Sequence, residues 1–255
     1  MILFSAVLFI ITKKRAEQIP NSLGSLIATH IVKPNLEKYF TNVKCEYGNK
    51  TIIEKIKATK IFQNGLRFCV KSYISGVYDG QTFEISDVKI FKLTDFLSST
   101  ENGDRSKAFF DGTWIILDSP KEVISNHIVI RSISSSTKID YAGLKQKMHQ
   151  IKLESEEFNQ NFAVFSEKDT SDAHYLLPPD IMENLIALNK DHDLSLCCYE
   201  GKMHIALNGI KYDALFGKSF ADNFHEDEKQ QETIIINDIK EIKKVLDNFI
   251  KDNNG

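Results

Sequence analysis

The stretch from Leu66 to Leu93 most constrains how this chain can fold. Two strand-like runs, Leu66 to Val77 and Gln81 to Leu93, flank Tyr78-Asp79-Gly80. Asp-Gly readily takes the positive φ values that a tight turn between antiparallel strands demands. The pair therefore commits the chain to an antiparallel sheet. In the second arm Phe83, Ile85, Val88, Ile90 and Leu93 alternate imperfectly with polar residues, which predicts one buried face and a bulge near Ser86-Asp87. Beyond the polar loop Ser98 to Lys107, strands are expected over Ala108 to Leu117, carrying the only tryptophan, Trp114, and over Val123 to Ile133. These runs are read together as one antiparallel meander. Upstream, a short strand is expected near Val43 to Tyr47. Thr51 with Glu54 then has the capping-box form that starts a helix, Ile52 to Ile61.

The second half mixes strands with helices. After a short helix or turn around Tyr141 to His149, the run Phe162 to Phe165 reads as a strand, followed by a charged loop and then a helix. Pro178 and Pro179 forbid continued pairing, and Pro179 suits the first turn of a helix, where its missing amide costs nothing. Ile181, Leu185, Leu188 and Met182 are its expected buried stripe. Leu194 to Tyr199 and Met203 to Leu207 form a hairpin across Glu200-Gly201-Lys202. Phe216, Phe220 and Phe224 recur every four residues, as in a helical turn pinned to a core. The closing amphipathic helix, Asn237 to Ile250, presents Ile239, Ile242, Val245, Leu246, Phe249 and Ile250 on one side.

The ends of the chain carry different information. Ile2 to Ile11 is apolar except for Ser5 and is closed by Lys13, Lys14 and Arg15. A helix through Ile2 to Thr12 reaches only about 17 Å, against a hydrocarbon core of about 30 Å. Positive charge after the run, not before it, is the inverse of a secretory signal and matches the inner end of a membrane helix. Residues 1–15 are accordingly read as a truncated membrane anchor, ahead of a buried helix or a targeting segment. Met1 would then be an internal or late start, and residues 16–255 would form a cytoplasmic domain, with lobes 16–150 and 151–255 as a subdivision. From Ala16 to Phe40 the residues Ile19, Leu23, Leu26, Ile27, Ile31 and Leu36 suggest an amphipathic helix, capped by Asn21 or Ser22 and ending near Val32, before Pro34.

Charge and cysteine usage exclude several classes of function. A net charge of −3 and a pI near 6.2 leave no overall footprint for nucleic acid. The four cysteines, Cys45, Cys69, Cys197 and Cys198, lack the spacing of a disulfide framework or a zinc knuckle and read as reduced thiols. Ser135-Ser136-Thr137-Lys138 imitates a Ser-x-x-Lys nucleophile without its companion motifs. Gly217-Lys218-Ser219 resembles the end of a phosphate loop, but Tyr212 stands where that loop needs glycine. The cluster that merits weighing as chemistry is Asp169, Asp172 and His174, with Asp191, His192 and Asp193 beyond the helix. Carboxylates and imidazole can bind metal or transfer protons where they converge. A helix from Pro179 to Lys190, about 18 Å long, holds the two groups apart. No cofactor or metal is expected, and solvated loop charges are the reading preferred.

The pattern Phe162-Ala163-Val164-Phe165-Ser166, then Ala173-His174-Tyr175-Leu176-Leu177-Pro178-Pro179, Met182-Glu183 and the Leu194-to-Leu207 hairpin resembles the bacterial family called domain of unknown function 3137. Weaker resemblance extends through Lys107 to Asp118 and to the apolar N-terminus with its basic residues. The resemblance implies one or two membrane segments before a cytoplasmic domain. It carries over no catalytic residue. This chain departs from the pattern at Asp172 and His174, where the family usually has glutamate and arginine, and at Pro178, where threonine or serine is usual.

The expectation is thus an α+β protein, an antiparallel sheet packed against the helices from Pro179 and Asn237, held at the cytoplasmic face of a bacterial inner membrane. Its expected role is a non-enzymatic interaction or scaffold module with a protein partner and no nucleic acid. The alternatives are a hydrolase-like enzyme using the Asp172 and His174 loop, and a domain that binds a small molecule or lipid in an apolar pocket.

Overall fold

The computed structural model describes residues 28–47, 51–59, 61–62, 66–92, 108, 110–119, 127–133, 148–168, 171–191, 193–210, 212 and 228–250. Their strands form a single nine-stranded sheet in the order β1-β2-β3-β4-β9-β8-β5-β7-β6, every neighbouring pair antiparallel. The strands are β1 Thr41–Tyr47, β2 Leu66–Tyr78, β3 Gln81–Lys92, β4 Phe110–Asp118, β5 Ile128–Ser132, β6 His149–Ile151, β7 Phe162–Ser166, β8 Asp193–Tyr199 and β9 Lys202–Asn208. The helices are α1 Lys33–Leu36, entered through a π-helical turn at Ala28–Val32, α2 Thr51–Ala58, α3 Glu156–Asn161, α4 Ser171–Leu176, α5 Pro179–Asp191 and α6 Glu228–Ile250. The α+β class holds. The apolar N-terminus, the loops at Ser98–Lys107 and Ser135–Lys138, and Phe216 to Phe224 lie outside the described residues.

Both hairpins form as the turn chemistry requires. Asp79 and Gly80 take φ of 48° and 78°, and Glu200 and Gly201 take 48° and 72°. Two successive positive φ values match the right-handed twist of the flanking strands. The expected bulge exists but on the other strand. β3 pairs without interruption against β4, while β2 places Lys71-Ser72 opposite Asp87, between the Val70↔Val88 and Tyr73↔Ser86 pairs. Alternation on one strand registers that a bulge is present without saying which strand carries the extra residue.

The meander ends sooner than expected. β4 is flanked by β3 and β9, and β5 instead lies between β8 and β7. All five residues of β5 are buried, so it belongs inside the sheet with partners on both sides. β5 and β6, which precede residue 152, pair only with β7 and β8, which follow it. His149, expected at the end of a short helix or turn, begins β6. Pro34 does not stop a helix but sits in the first turn of α1, where its missing amide is harmless. α3 was not signalled by periodicity. It is capped by Ser155, whose Oγ accepts from the Phe158 amide at 3.2 Å.

Two cores lie on the two faces of this sheet. The first joins Phe83, Ile85, Ile115, Leu117, Ile205, Leu207, Leu196 and Ile130 to α1, α3, α4, α5 and α6. α6 contributes Ile235, Ile239, Ile242, Val245, Leu246, Phe249 and Ile250, the expected stripe extended by one turn. α5 turns Met182, Leu185 and Ile186 inward, with Ile181 and Leu188 only partly buried, so its stripe is rotated from the expected one. The second core lies on the opposite face, where α2 places Ile52 and Ile56 over Val88, Ile90, Phe110, Trp114, Ile116 and Ala206. Cys197 and Cys198 are both fully buried, one in each core. All four cysteines are free thiols.

Candidate functional site

The segment Ala173 to Pro179 builds a corner. Ala173, Leu176 and Leu177 are buried in the first core, and the Leu177 amide closes α4 by donating to the Ala173 carbonyl at 3.1 Å. The proline pair then redirects the chain, with Pro179 as the first residue of α5. This locked inner side leaves His174 and Tyr175 outside, Tyr175 at 69% exposure. What periodicity reads as a charged loop is therefore partly a helix that displays an aromatic ring.

The charged residues singled out by sequence do not converge. Asp169 and His192 lie outside the described residues. Asp172 is half-buried and His174 exposed. Two positions apart on a helix, they leave it about 200° apart. Asp193 opens β8 at the far end of α5, where its Oδ2 accepts from Asn208 Nδ2 at 3.2 Å. Asp191 is the last residue of α5. Among the described residues no three His, Cys, Asp or Glu side chains are grouped to hold a metal ion.

The second face holds a polar cluster that sequence reading passed over. One row of aligned residues runs Glu84, Ile116, His204, Cys197, Val129 and Phe165 across β3, β4, β9, β8, β5 and β7. His204 is 3% exposed, and its Nδ1 accepts a hydrogen bond from Trp114 Nε1 at 3.2 Å. Indole nitrogen only donates, so the imidazole must be neutral with its proton on Nε2. Burial, then the nearby charges of Lys55, Lys202 and His127, pull its pKa down to about 4. Lys55 reaches from α2 to form an ion pair with Glu84, and Lys202 bonds Asp118 at 2.5 Å. His127 meets the Tyr199 ring edge-on, centroids 5.0 Å apart.

These groups look like chemistry and are set against it. Burial, with Cys198 beside it, pushes the Cys197 thiol well above its ordinary range. Its cross-strand neighbour His204 is pushed down. A reactive pair needs the reverse on the sulfur, a thiolate stabilised by a cation at an accessible site. Neither group is charged near neutral pH. Periodicity missed this cluster because Met203, Ile205 and Leu207 alternate cleanly with Lys202, His204 and Ala206, which reads as one solvated face. α2 and Phe62 cover that face instead, the Phe62 ring lying 5.7 Å from that of Trp114.

A family model described as "Protein of unknown function (DUF3137)" matches residues 108–251, more than half of the chain. The chain belongs to this family. The DUF3137 segment contains β4 to β9 and α3 to α6, so it supplies six adjacent strands of the sheet, the displayed His174 and Tyr175, and both His204 and Trp114. β1, β2, β3 and α2 fall outside it and extend the sheet from the β4 edge. No curated protein matches the chain.

Proposed function

We propose that this DUF3137 protein is a membrane-tethered interaction module at the cytoplasmic face of a bacterial membrane, with α4 as its contact for a protein partner. The observation that carries this reading is Tyr175. It is the most exposed of the large hydrophobic side chains among the described residues, at 69%, beside exposed His174 and on a helix anchored from within by Ala173 and Leu176. A rigidly held aromatic with a polar tip, exposed in the free protein, is the usual anchor of a protein interface. The tether rests on the apolar run Ile2 to Ile11 and the Lys13-Lys14-Arg15 cluster behind it. A hydrolase built on Asp172 and His174 has less support, because the two side chains leave α4 in different directions.

Site-specific photo-crosslinking in the full-length protein in its native membrane tests the proposal. A probe at position 175 should give one reproducible protein adduct, and Tyr175→Ala should abolish recovery of that protein by co-purification. No adduct from position 175, or undiminished recovery with Tyr175→Ala, would contradict it.

A further inference from the structure

Among the described residues β1 and β6 are the end strands of the sheet, and β1 has β2 on one side and no described strand on the other. An edge strand turns outward a row of backbone donors and acceptors that a further strand can use. β6 offers three residues, His149–Ile151, and β1 seven. The pairing of β1 with β2 shifts between Thr41 and Lys44, where Asn42 takes φ of 53°, and is regular from Lys44 to Tyr47. The bulge blunts the first half of this edge and leaves the second half as a straight ladder. There Lys44 and Glu46 stand exposed on one face, while Cys45 packs against the first core from the other. Their aligned neighbours on β2 are the uncharged Ser75 and Tyr73.

We infer that β1 is a self-association edge, pairing antiparallel with β1 of a second copy about a two-fold axis at Cys45, so that Lys44 faces Glu46 of that copy and Glu46 faces its Lys44. Charge complementarity fixes the occupant and the register together. Directly opposite residues share a face of a sheet, and a slip of one would set Lys44 and Glu46 against the core side of the other copy. Within the regular ladder, slips of two remain. Centred on Lys44, the pairing would bring two ammonium groups together, and centred on Glu46, two carboxylates. Centred on Cys45, it makes two ion pairs from the same four groups, on Cβ atoms about 4.5–5.5 Å apart. The helix beside the axis adds no net charge, because Lys33 and Glu37 of α1 lie 3.7 Å apart and act on the Cys45 thiol with opposite sign. A two-fold perpendicular to the sheet also keeps the first core of both copies on one side. A ladder this short makes a weak dimer, with Kd on the order of 10–100 μM. The edge includes no part of α4, so the inference stands apart from the Tyr175 contact.

Sedimentation velocity of the full chain in a mild detergent tests this, with charge reversals that read out the register. Association through the apolar run Ile2 to Ile11 would be indifferent to them. The native chain should dimerise. Lys44→Glu and Glu46→Lys should each raise Kd by about 10- to 100-fold, because each turns both ion pairs into like-charge pairs. An equimolar mixture of these two variants should recover the native Kd to within about threefold, and so should the exchange Lys44→Glu/Glu46→Lys. Lys44→Gln/Glu46→Gln, which removes the pairs without creating repulsion, should raise Kd by about 3- to 10-fold. Lys152→Glu, the same charge change next to the opposite edge strand, should leave it within about twofold. A native chain that stays monomeric at about 300 μM would overturn the proposal. So would single reversals that associate as tightly as the native chain, or reversals folded by circular dichroism that fail to recover in the mixture.

Discussion

Each face of the sheet carries a buried core, and the two are differently made. On the first, Ile85, Ile115, Leu117, Ile205, Leu207 and Leu196 meet the aliphatic stripes of α5 and α6, and burial of carbon is the main source of cohesion. On the second, Trp114, Phe110 and Ile116 share the interior with His204, Arg131, Ser86 and Ser195, all of them buried. An apolar contact tolerates small displacements, whereas the Trp114–His204 bond holds only in one ring orientation and one protonation state. The first face should therefore set how stable the protein is, and the second how that stability responds to pH.

The junction shared by both faces should be the most sensitive. A Cβ on Gly112 would stand 2.1 Å from the Leu207 carbonyl oxygen on β9 and 3.0 Å from the Asn208 Cα, and neither is a side chain that could move aside. Gly112→Ala should cost about 3 kcal/mol or more, or prevent folding, measured as the urea midpoint or soluble yield. On the first face alone, Leu246→Ala removes a fully buried side chain of α6 and should cost about 3 kcal/mol, equally at pH 7 and pH 5.

On the second face the loss should depend on pH. The folded pKa of His204, about 4, lies below its ordinary 6.5, so the unfolded chain takes up the proton first. The contribution is complete above pH 6.5 and is lost as pH falls towards 4, by roughly 3 kcal/mol in all. His204→Gln keeps an acceptor for the indole without titrating, and should flatten that part of the stability–pH curve relative to the native chain. The smallest effect belongs to the turns. Gly80→Ala, at φ of 78° with open space around it, should cost about 1 kcal/mol at any pH.

What could be read from sequence follows the same division. The first face was legible because α6 repeats its isoleucines at helical spacing and the hairpins announce themselves through Asp79-Gly80 and Glu200-Gly201. The second was not. Periodicity reports which residues share a side of a strand, and it does not report what covers that side. His204 looks solvated until α2 and Phe62 are in position over Trp114. Strand order escaped for a related reason, since β5 reads locally like the next strand of a meander and is assigned its place by distant partners, β7 and β8. In the proposed interaction site, Tyr175 was visible as part of the Ala173-to-Pro179 pattern. Its exposure became readable only once Ala173, Leu176 and Leu177 had been turned inward.

His204 and Cys197 of the second face serve as architecture, and the titration of His204 in the folded protein tests that most directly. Followed by NMR from pH 8 downward, its ring should stay neutral with the proton on Nε2, and the Trp114 indole proton should stay protected, until the pH nears 4. A midpoint near 6.5 with the fold intact, or an indole proton that exchanges freely at pH 7, would contradict it and mark that face as a working acid–base site.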